Sequence, residues 1–265
     1  MILTFLSDYG PGDEFVGVCH GVMRRIAPDV PVIDVTHGVV RFGVREGALT
    51  LRNALPYMPA GVHVAVVDPQ VGTERRALAV RCGEDDRLLV GPDNGLLSLA
   101  WERFGGAAEA VDISRSMHRL EPLSATFHGR DVFAPVAAAL AAGAELRDAG
   151  EPLDTDELVA LELPVARREG TTIVAHALAI DGFGNVALNV GHSDAIEAGI
   201  RMGNRVTVNG VEAVVVQTFA DVDAGQLLLY EDAWQALALA VNRGDAAARL
   251  GLERDAEVAL ELLDH

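Results

Sequence analysis

The chain has 265 residues, of which 50% are hydrophobic, and a formal net charge of −18, enough length to bury one large core or two smaller ones. That charge opposes binding to a polyanion, and no apolar run approaches the ~18 residues that span a membrane, so neither nucleic acid nor a membrane is an expected partner. All 21 cationic side chains are arginine, which excludes a Schiff-base lysine, a phosphate-loop lysine and a kinase strand lysine.

Met1 to Leu6 reads as a buried strand. The opening MILTFLSDYG has no basic stretch and soon reaches Asp8, so it does not read as a signal peptide, and the expected location is the cytoplasm. Two cysteines, Cys19 and Cys82, are too few for a disulfide framework and read as buried thiols. Asp13 to Ile26 places Phe15, Val18, Val22, Met23 and Ile26 at amphipathic helical spacing. Pro31 to Val35 is a second strand, Val44 to Tyr57 a helix, and Val62 to Val67 a third strand ending at Asp68. Strands follow at Ala77 to Cys82 and Arg87 to Val90, with helices near Leu96 to Phe104 and Val132 to Ala142. Such alternation is that of βαβ units, so residues 1–160 are expected to form an α/β domain.

Gly143 to Leu163 is acidic and turn-rich and reads as a linker. Beyond it the hydrophobic period changes to two, at Thr171 to Ile180, Val186 to Val190, Arg205 to Val208 and Val211 to Val216. Asn209-Gly210 between the last two is a hairpin turn signal. Residues 170–265 are therefore expected to form a smaller, mainly antiparallel β domain.

Several turns at strand ends carry polar groups. SDYGPGDEF occupies the place of a Rossmann phosphate loop, yet Phe15 stands where GxGxxG requires glycine. Asp13 and Glu14 suit the helix dipole there and repel a pyrophosphate. Asp8 is a cap or turn residue or, as an acceptor-only carboxylate, a holder of a ribose diol or a cation. Asp68 with Arg75 is either a structural ion pair or part of a polar site at a strand terminus. Asp93 or Asn94 caps the helix that follows it. His128 precedes a helix that Asp131 either caps or enters in its first turn, a position that disfavours the imidazolium and leaves a base or acceptor near neutrality.

The eight histidines contain no HxxxH and no zinc-site spacing, so no metal is expected; GxSxG is also absent, which removes a hydrolase-type serine. Asp181-Gly182-Phe183-Gly184-Asn185 is a tight turn between strands. In it Phe183 offers a stacking face, Asn185 a donor and an acceptor for an adenine edge, and Asp181 a partner for an ammonium. Together these groups suit a nucleoside bearing positive charge.

SDYG with the following D-x-F-V-G, DVTH, VVDPxVGTxRR, PDNGLLS, TFHGRDxFAP, DGFGN and ALAVNRGDAA cover nearly the whole chain. In this combination the sequence resembles the S-adenosyl-L-methionine (SAM) hydrolases that form adenosine, also called SAM hydroxide adenosyltransferases, relatives of the SAM-dependent fluorinase and chlorinase. The resemblance implies an α/β domain followed by a β-barrel-like domain, and a homotrimer with each site between the first domain of one subunit and the second domain of the next. It implies SAM as the small-molecule substrate and no cofactor. Asp68, Arg75 and His128 match the water-activating triad. By the same match Asp8 holds the ribose hydroxyls, Asn185 the adenine edge, Phe183 and Phe219 its faces, and Asp181 the methionine ammonium, with Phe127 and Asp13 at the pocket wall.

A sulfonium departs as a neutral thioether and needs no acid, so the expected chemistry is the positioning and deprotonation of a water. Asp68 beside the attack line repels a halide, which favours hydrolysis over a halogenase-like transfer. One departure stands out. Where the family shows D-S-x-G, this chain has Asp232-Ala233-Trp234-Gln235, and Ala233 has no hydroxyl for the methionine carboxylate; Tyr230 is the substitute. A non-catalytic SAM- or adenosine-binding module and a halogenase-like transferase are the alternatives.

Overall fold

The computed structural model describes residues 1–263. The chain divides into a unit spanning Met1–Leu161 and a second unit that begins at Glu162.

The first unit is built on a seven-stranded sheet in the order β2-β1-β3-β5-β4-β6-β7. Its strands are β1 (Leu3–Ser7), β2 (Val32–Thr36), β3 (Val62–Val66), β4 (Ala77–Cys82), β5 (Leu88–Pro92), β6 (Ala107–Asp112) and β7 (Glu151–Leu153). β2, β1, β3 and β5 run parallel, whereas β4, β6 and β7 pair antiparallel. β1, β3 and β5 are buried along their whole length, because helices cover both faces and such strands read as continuous apolar runs.

The period of two sorts the side chains of β3. Val62, Val64 and Val66 enter one core with helices α1 (Phe15–Ile26) and α4 (Ala134–Ala141), while Ala65, followed by Val67, enters the other with α2 (Val44–Ala54) and α3 (Ser98–Arg103). Each large aliphatic side chain buried this way stabilises by about 1.5–3 kcal/mol. At the edge, β2 leaves Ile33 40% exposed.

The parallel register brings functional residues to one rim. Ser7 of β1 lies beside Val66 of β3, so Asp8 and Asp68 leave the sheet together at its carboxyl edge. β4 runs the other way, and its first residue, Ala77, pairs with Pro92 at the end of β5. Arg75, Arg76 and Asp93 therefore reach the same rim.

The segment Gly143 to Leu163 departs from the expected linker. It folds onto the first unit through helix α5 (Leu146–Ala149) and strand β7, which extends the sheet beside β6. Leu146 and Leu158 are buried there, and Val159 N–H donates to Asp93 Oδ1 at 2.9 Å. Its spaced leucines point inward and its acids remain at the surface, a pattern that composition alone averages away.

The second unit contains β8 (Arg167–Glu169), β9 (Thr172–Ile180), β10 (Val186–Gly191), β11 (Arg205–Val208), β12 (Val211–Val215), β13 (Leu227–Glu231), β14 (Ala236–Val241) and β15 (Glu257–Leu262), with short helices α6 (His192–Glu197) and α7 (Ala246–Leu250). Strand order is β10-β14-β13-β12-β11-β15-β9-β8, and an added β9–β10 pairing closes β9 to β15 into a barrel. Closure removes open edges from those strands. Its pairings are antiparallel except β12–β13. Asn209 and Gly210 form the expected hairpin turn, with φ of 49° and 79°, the left-handed pair that a two-residue loop requires. An α/β unit followed by a mainly antiparallel barrel is the architecture the sequence led us to expect.

Candidate active site

The turn after β3 explains why a strand ends on a carboxylate. Arg75 folds back so that Nε donates to Asp68 Oδ1 at 2.9 Å and Nη2 donates to Asp68 Oδ2, a two-pronged contact. Both side chains are almost fully covered, Arg75 at 5% and Asp68 at 6% exposure. Gly72 makes the turn possible: its φ is 78°, and a Cβ there would collide with the Ala125 carbonyl oxygen. The other arginine of the pair has a different target, since Arg76 Nε donates to Asp93 Oδ2 at 2.8 Å.

His128 completes the group. Arg75 Nη2 lies 3.1 Å from His128 Nδ1, and because a guanidinium only donates, Nδ1 is the acceptor and a neutral ring carries its proton on Nε2. Burial lowers the His128 pKa, and the Arg75 charge lowers it further, against the opposing pull of Asp68 and Asp131. The ring is thus held neutral. It stands immediately before a π-helical turn, Gly129–Phe133, that runs into α4; such turns concentrate at functional sites. Arg75 also lies over the ring of Phe133, 5.2 Å from its centroid.

Asp131 sits in the first turn, one of its two expected places, and does not cap it: the carboxylate accepts from Ser124 N–H at 2.8 Å and from Arg130 Nε at 2.6 Å, pinning the preceding loop. Nor do Asp93 and Asn94 cap α3, whose first flanking residue is Leu97. Asp93 is drawn to Arg76, and Asn94 accepts from Leu96 N–H while donating to the Val67 carbonyl, 2.9 Å away.

Asp8 is likewise not a helix cap. Its Oδ2 accepts from Phe42 N–H at 2.9 Å, which fixes the carboxylate at the rim. Phe127 belongs to an edge-to-face aromatic group with Phe15, 5.1 Å between centroids, and Tyr9, 5.9 Å. Asp13 is exposed in the turn before α1 and is not drawn into this group by any hydrogen bond described.

Tyr9 went unnoticed in the sequence, where it looked like a turn residue. Gly129 lacks the Cβ that would strike the Tyr9 hydroxyl, so the phenol packs against the start of the π-helical turn. Burial, Cys19, Asp8 and Asp68 all raise its pKa. It therefore remains a protonated donor beside the triad.

The second unit holds the remaining candidates. Asp181 clasps its own hairpin: Oδ1 accepts from Phe183 N–H and Asn185 N–H, and Oδ2 accepts from Asn185 Nδ2 at 2.8 Å. A carboxylate has about four lone pairs, which leaves Oδ2 capacity for one more donor, and the Asn185 carbonyl oxygen is aimed by the bond its amide makes. Phe183 sits on the loop tip, 80% exposed. Phe219 and Tyr230 pack together at 5.1 Å between centroids. Burial and the nearby acids Asp181 and Asp232 push the Tyr230 hydroxyl up to about 12. Asp232 Oδ1 accepts from Trp234 N–H and Ala236 N–H, so the departing Asp232-Ala233-Trp234-Gln235 stretch is an ordered turn that presents Trp234 at 45% exposure.

Among the described residues no helix is long and apolar enough to cross a membrane. The chain is 48% identical over 250 residues to an (R)-S-adenosyl-L-methionine hydrolase of Salinispora tropica, covering 94% of each chain. It is 37% identical to one of Thermus thermophilus, covering 97% of this chain and 98% of that one. A fluorinase of Nocardia brasiliensis is 30% identical, covering 98% and 97%. An uncharacterized conserved protein of Thermotoga maritima has a solved structure that superposes with a TM-score of 0.89 at 35% identity, covering 98% of this chain and 99% of that one. Residues 3–150 match the SAM hydroxide adenosyltransferase N-terminal domain and residues 175–259 the corresponding C-terminal domain: this chain belongs to the SAM hydroxide adenosyltransferase family.

Proposed function

We propose that this protein hydrolyses SAM, in the (R)-sulfonium form for which its relatives are named, to adenosine and L-methionine. The observation that carries the reading is the hydrogen-bonded set in which buried Arg75 bridges buried Asp68 and half-buried His128 at the carboxyl rim of the parallel strands, where α/β proteins place their ligands.

The reaction is a displacement at C5′. A water's oxygen bonds to C5′ as the C5′–S bond breaks, and the electron pair remains on sulfur, which departs as the neutral thioether of methionine. Holding the water in line supplies up to about 7–11 kcal/mol of the barrier in the best cases. His128, with Nδ1 occupied by Arg75, offers the water an Nε2–H and so orients it. Asp68 retains lone pairs beyond those bound to Arg75 and takes the proton. The proton leaves late, once the attacking oxygen carries positive character, and then passes to solvent. General-base help of this kind is worth roughly 10² to 10⁴ in rate.

Asp8 binds the ribose hydroxyls, with Phe127 at the wall and Asp13 at its margin. The barrel's Asn185 reads the adenine edge between Phe183 and Phe219, Asp181 receives the ammonium on its remaining lone pair, and Tyr230 stands in for the hydroxyl that Ala233 lacks. In this reading the protein is a homotrimer, and a site forms where the first domain of one subunit meets the second domain of the next. Two unpaired, buried thiols suit a reducing cytoplasm.

Incubation with (R)-SAM in ¹⁸O-labelled water tests the reading. Labelled adenosine with equimolar methionine supports it. A halogenated nucleoside formed in the presence of halide, or retention of SAM without turnover, overturns it. Sedimentation tests the trimer separately.

A further inference from the structure

At the outer edge of the first sheet α1 and β2 bring His20, Asp34 and His37 together. His20 Nε2 lies 2.8 Å from Asp34 Oδ1, and His37 Nε2 lies 3.1 Å from that same oxygen. All three potential ligand atoms fall within 4.8 Å of one another. Spacing along the chain gave no reason to expect a metal here, because His20 comes from a helix and the other two from a strand and the residue after it.

His37 is the informative member. Its side chain is only 11% exposed, and Nε2, although buried, forms no hydrogen bond: the 3.1 Å approach to Asp34 misses hydrogen-bonding geometry. The other ring nitrogen, Nδ1, lies 2.7 Å from Ser7 Oγ. A hydroxyl oxygen accepts as well as donates, and with Ser7 as acceptor the ring carries its hydrogen on Nδ1 and turns a bare Nε2 lone pair toward Asp34 and His20. That is how a ligating imidazole is held, one nitrogen anchored and the other aimed at the ion. Phe5, buried in the core, lies against the His37 ring with 4.7 Å between centroids and against the His20 ring at 6.2 Å, so both rings are braced from one side.

We propose that His20 Nε2, Asp34 Oδ1 and His37 Nε2 bind a divalent transition-metal ion of the Zn²⁺ class. Two imidazoles and one carboxylate form a ligand set such ions take, with a further position left to water. Bonds of about 2.0–2.1 Å in a tetrahedron separate the ligand atoms by about 3.3 Å. The observed 2.8 and 3.1 Å gaps therefore need to open by only a few tenths of an ångström. His20 and Asp34, at 32% and 41% exposure, provide the way in, and the chain's net charge of −18 raises the local concentration of cations.

The ion joins α1 to β2 and also to the turn after β1. Gly10 N–H donates to the His37 carbonyl at 2.7 Å, and Tyr9 N–H donates to Ser7 Oγ at 3.3 Å. Fixing His37 thus fixes the Ser7 to Gly10 turn that carries Asp8. Its role is to position that turn, with no part in bond making.

The test is a titration of the chelator-treated full-length protein with Co²⁺, read by visible absorption, and with Zn²⁺, read by calorimetry and thermal unfolding. Expected is about one equivalent per chain with a tetrahedral cobalt spectrum, and a melting temperature raised by a few degrees at saturating metal. His20→Ala and Asp34→Asn, both at exposed positions that need not disturb the core, lose the spectrum and the shift. His192→Ala, which removes the exposed His192–Glu231 pair of the barrel, keeps them. Absence of binding at millimolar metal, or binding unchanged in His20→Ala, overturns the proposal.

Discussion

The two units handle charge in opposite ways. In the α/β unit the central charged groups of the candidate site are covered: Arg75 and Asp68, paired within the turn after β3, are 5% and 6% exposed, and Arg75 also reaches His128, which lies far away in sequence. In the barrel the corresponding groups sit on surface loops and are held locally, as Asp181 is by residues two and four positions further on. Chemistry that must lower a barrier needs dipoles fixed before the substrate arrives, and low-dielectric surroundings make each of them count for more. Recognition of an adenine edge or an amino-acid tail tolerates loops that settle on binding. Under the proposed function the reacting groups belong to the sheet, and the adenine and amino-acid contacts to the barrel.

The strongest way to break that division is to remove a reaction group and measure turnover and binding separately. His128→Ala and Asp68→Asn are expected to lose roughly 10²- to 10⁴-fold in turnover while adenosine affinity, measured by calorimetry, stays within a few-fold. Unchanged rates would end the assignment. Stability provides a second contrast. Asp68→Ala leaves the Arg75 guanidinium buried without its counter-ion and is expected to cost about 3–5 kcal/mol in denaturant unfolding. Arg205→Ala breaks an ion pair with Glu212 on the barrel, where Arg205 is 62% exposed, and should leave the midpoint unmoved. Equal losses in the two variants would erase the distinction.

Acid sharpens the contrast within the sheet. His63 is fully buried, and burial together with Arg87 depresses its pKa from 6.5 to about 3. The unfolded chain then binds a proton that the folded one refuses. Stability is therefore complete above about pH 6.5 and falls by about 1.4 kcal/mol per unit below it until the folded pKa is reached. Comparison of wild type with His63→Gln across pH 4–7 should show the variant's slope shallower by one proton; parallel slopes would contradict the depressed pKa. The smallest effect is expected in the barrel. Asn185→Ala should raise KM about two- to tenfold, the worth of one hydrogen bond, with kcat unchanged; a fall in kcat alone would give that loop a place in the reaction.

The sheet-forming strands could be read from the sequence because apolar runs ending on Asp8 and Asp68 announce where strands stop, whereas the grouping of Asp68, Arg75 and His128 comes from the family resemblance alone. The remaining partners at the rim could not be read. Nothing in the spacing says that Asp8 is held by Phe42 N–H, that Asp131 secures Ser124 rather than a helix end, or that Asp93 answers Arg76 and Val159, since each contact is set by how turns converge on the rim. Segment 143–163 was misread for a related reason: its acids dominate the composition, whereas its few leucines decide where it lies. Tyr9 illustrates the limit from another direction, since its importance depends on the missing side chain of Gly129, a residue far away in sequence.

β3 carries one further implication. Val62, Val64 and Val66 face one core, Ala65 the other, and the same rod of backbone delivers Asp68 two residues past its end. A methyl group gained or lost on either side tips that rod and shifts the carboxylate at its tip. Under the proposed reaction, a core substitution along β3 should slow turnover before it unfolds the protein, and suppressors should arise across the sheet, on the layer opposite the original lesion.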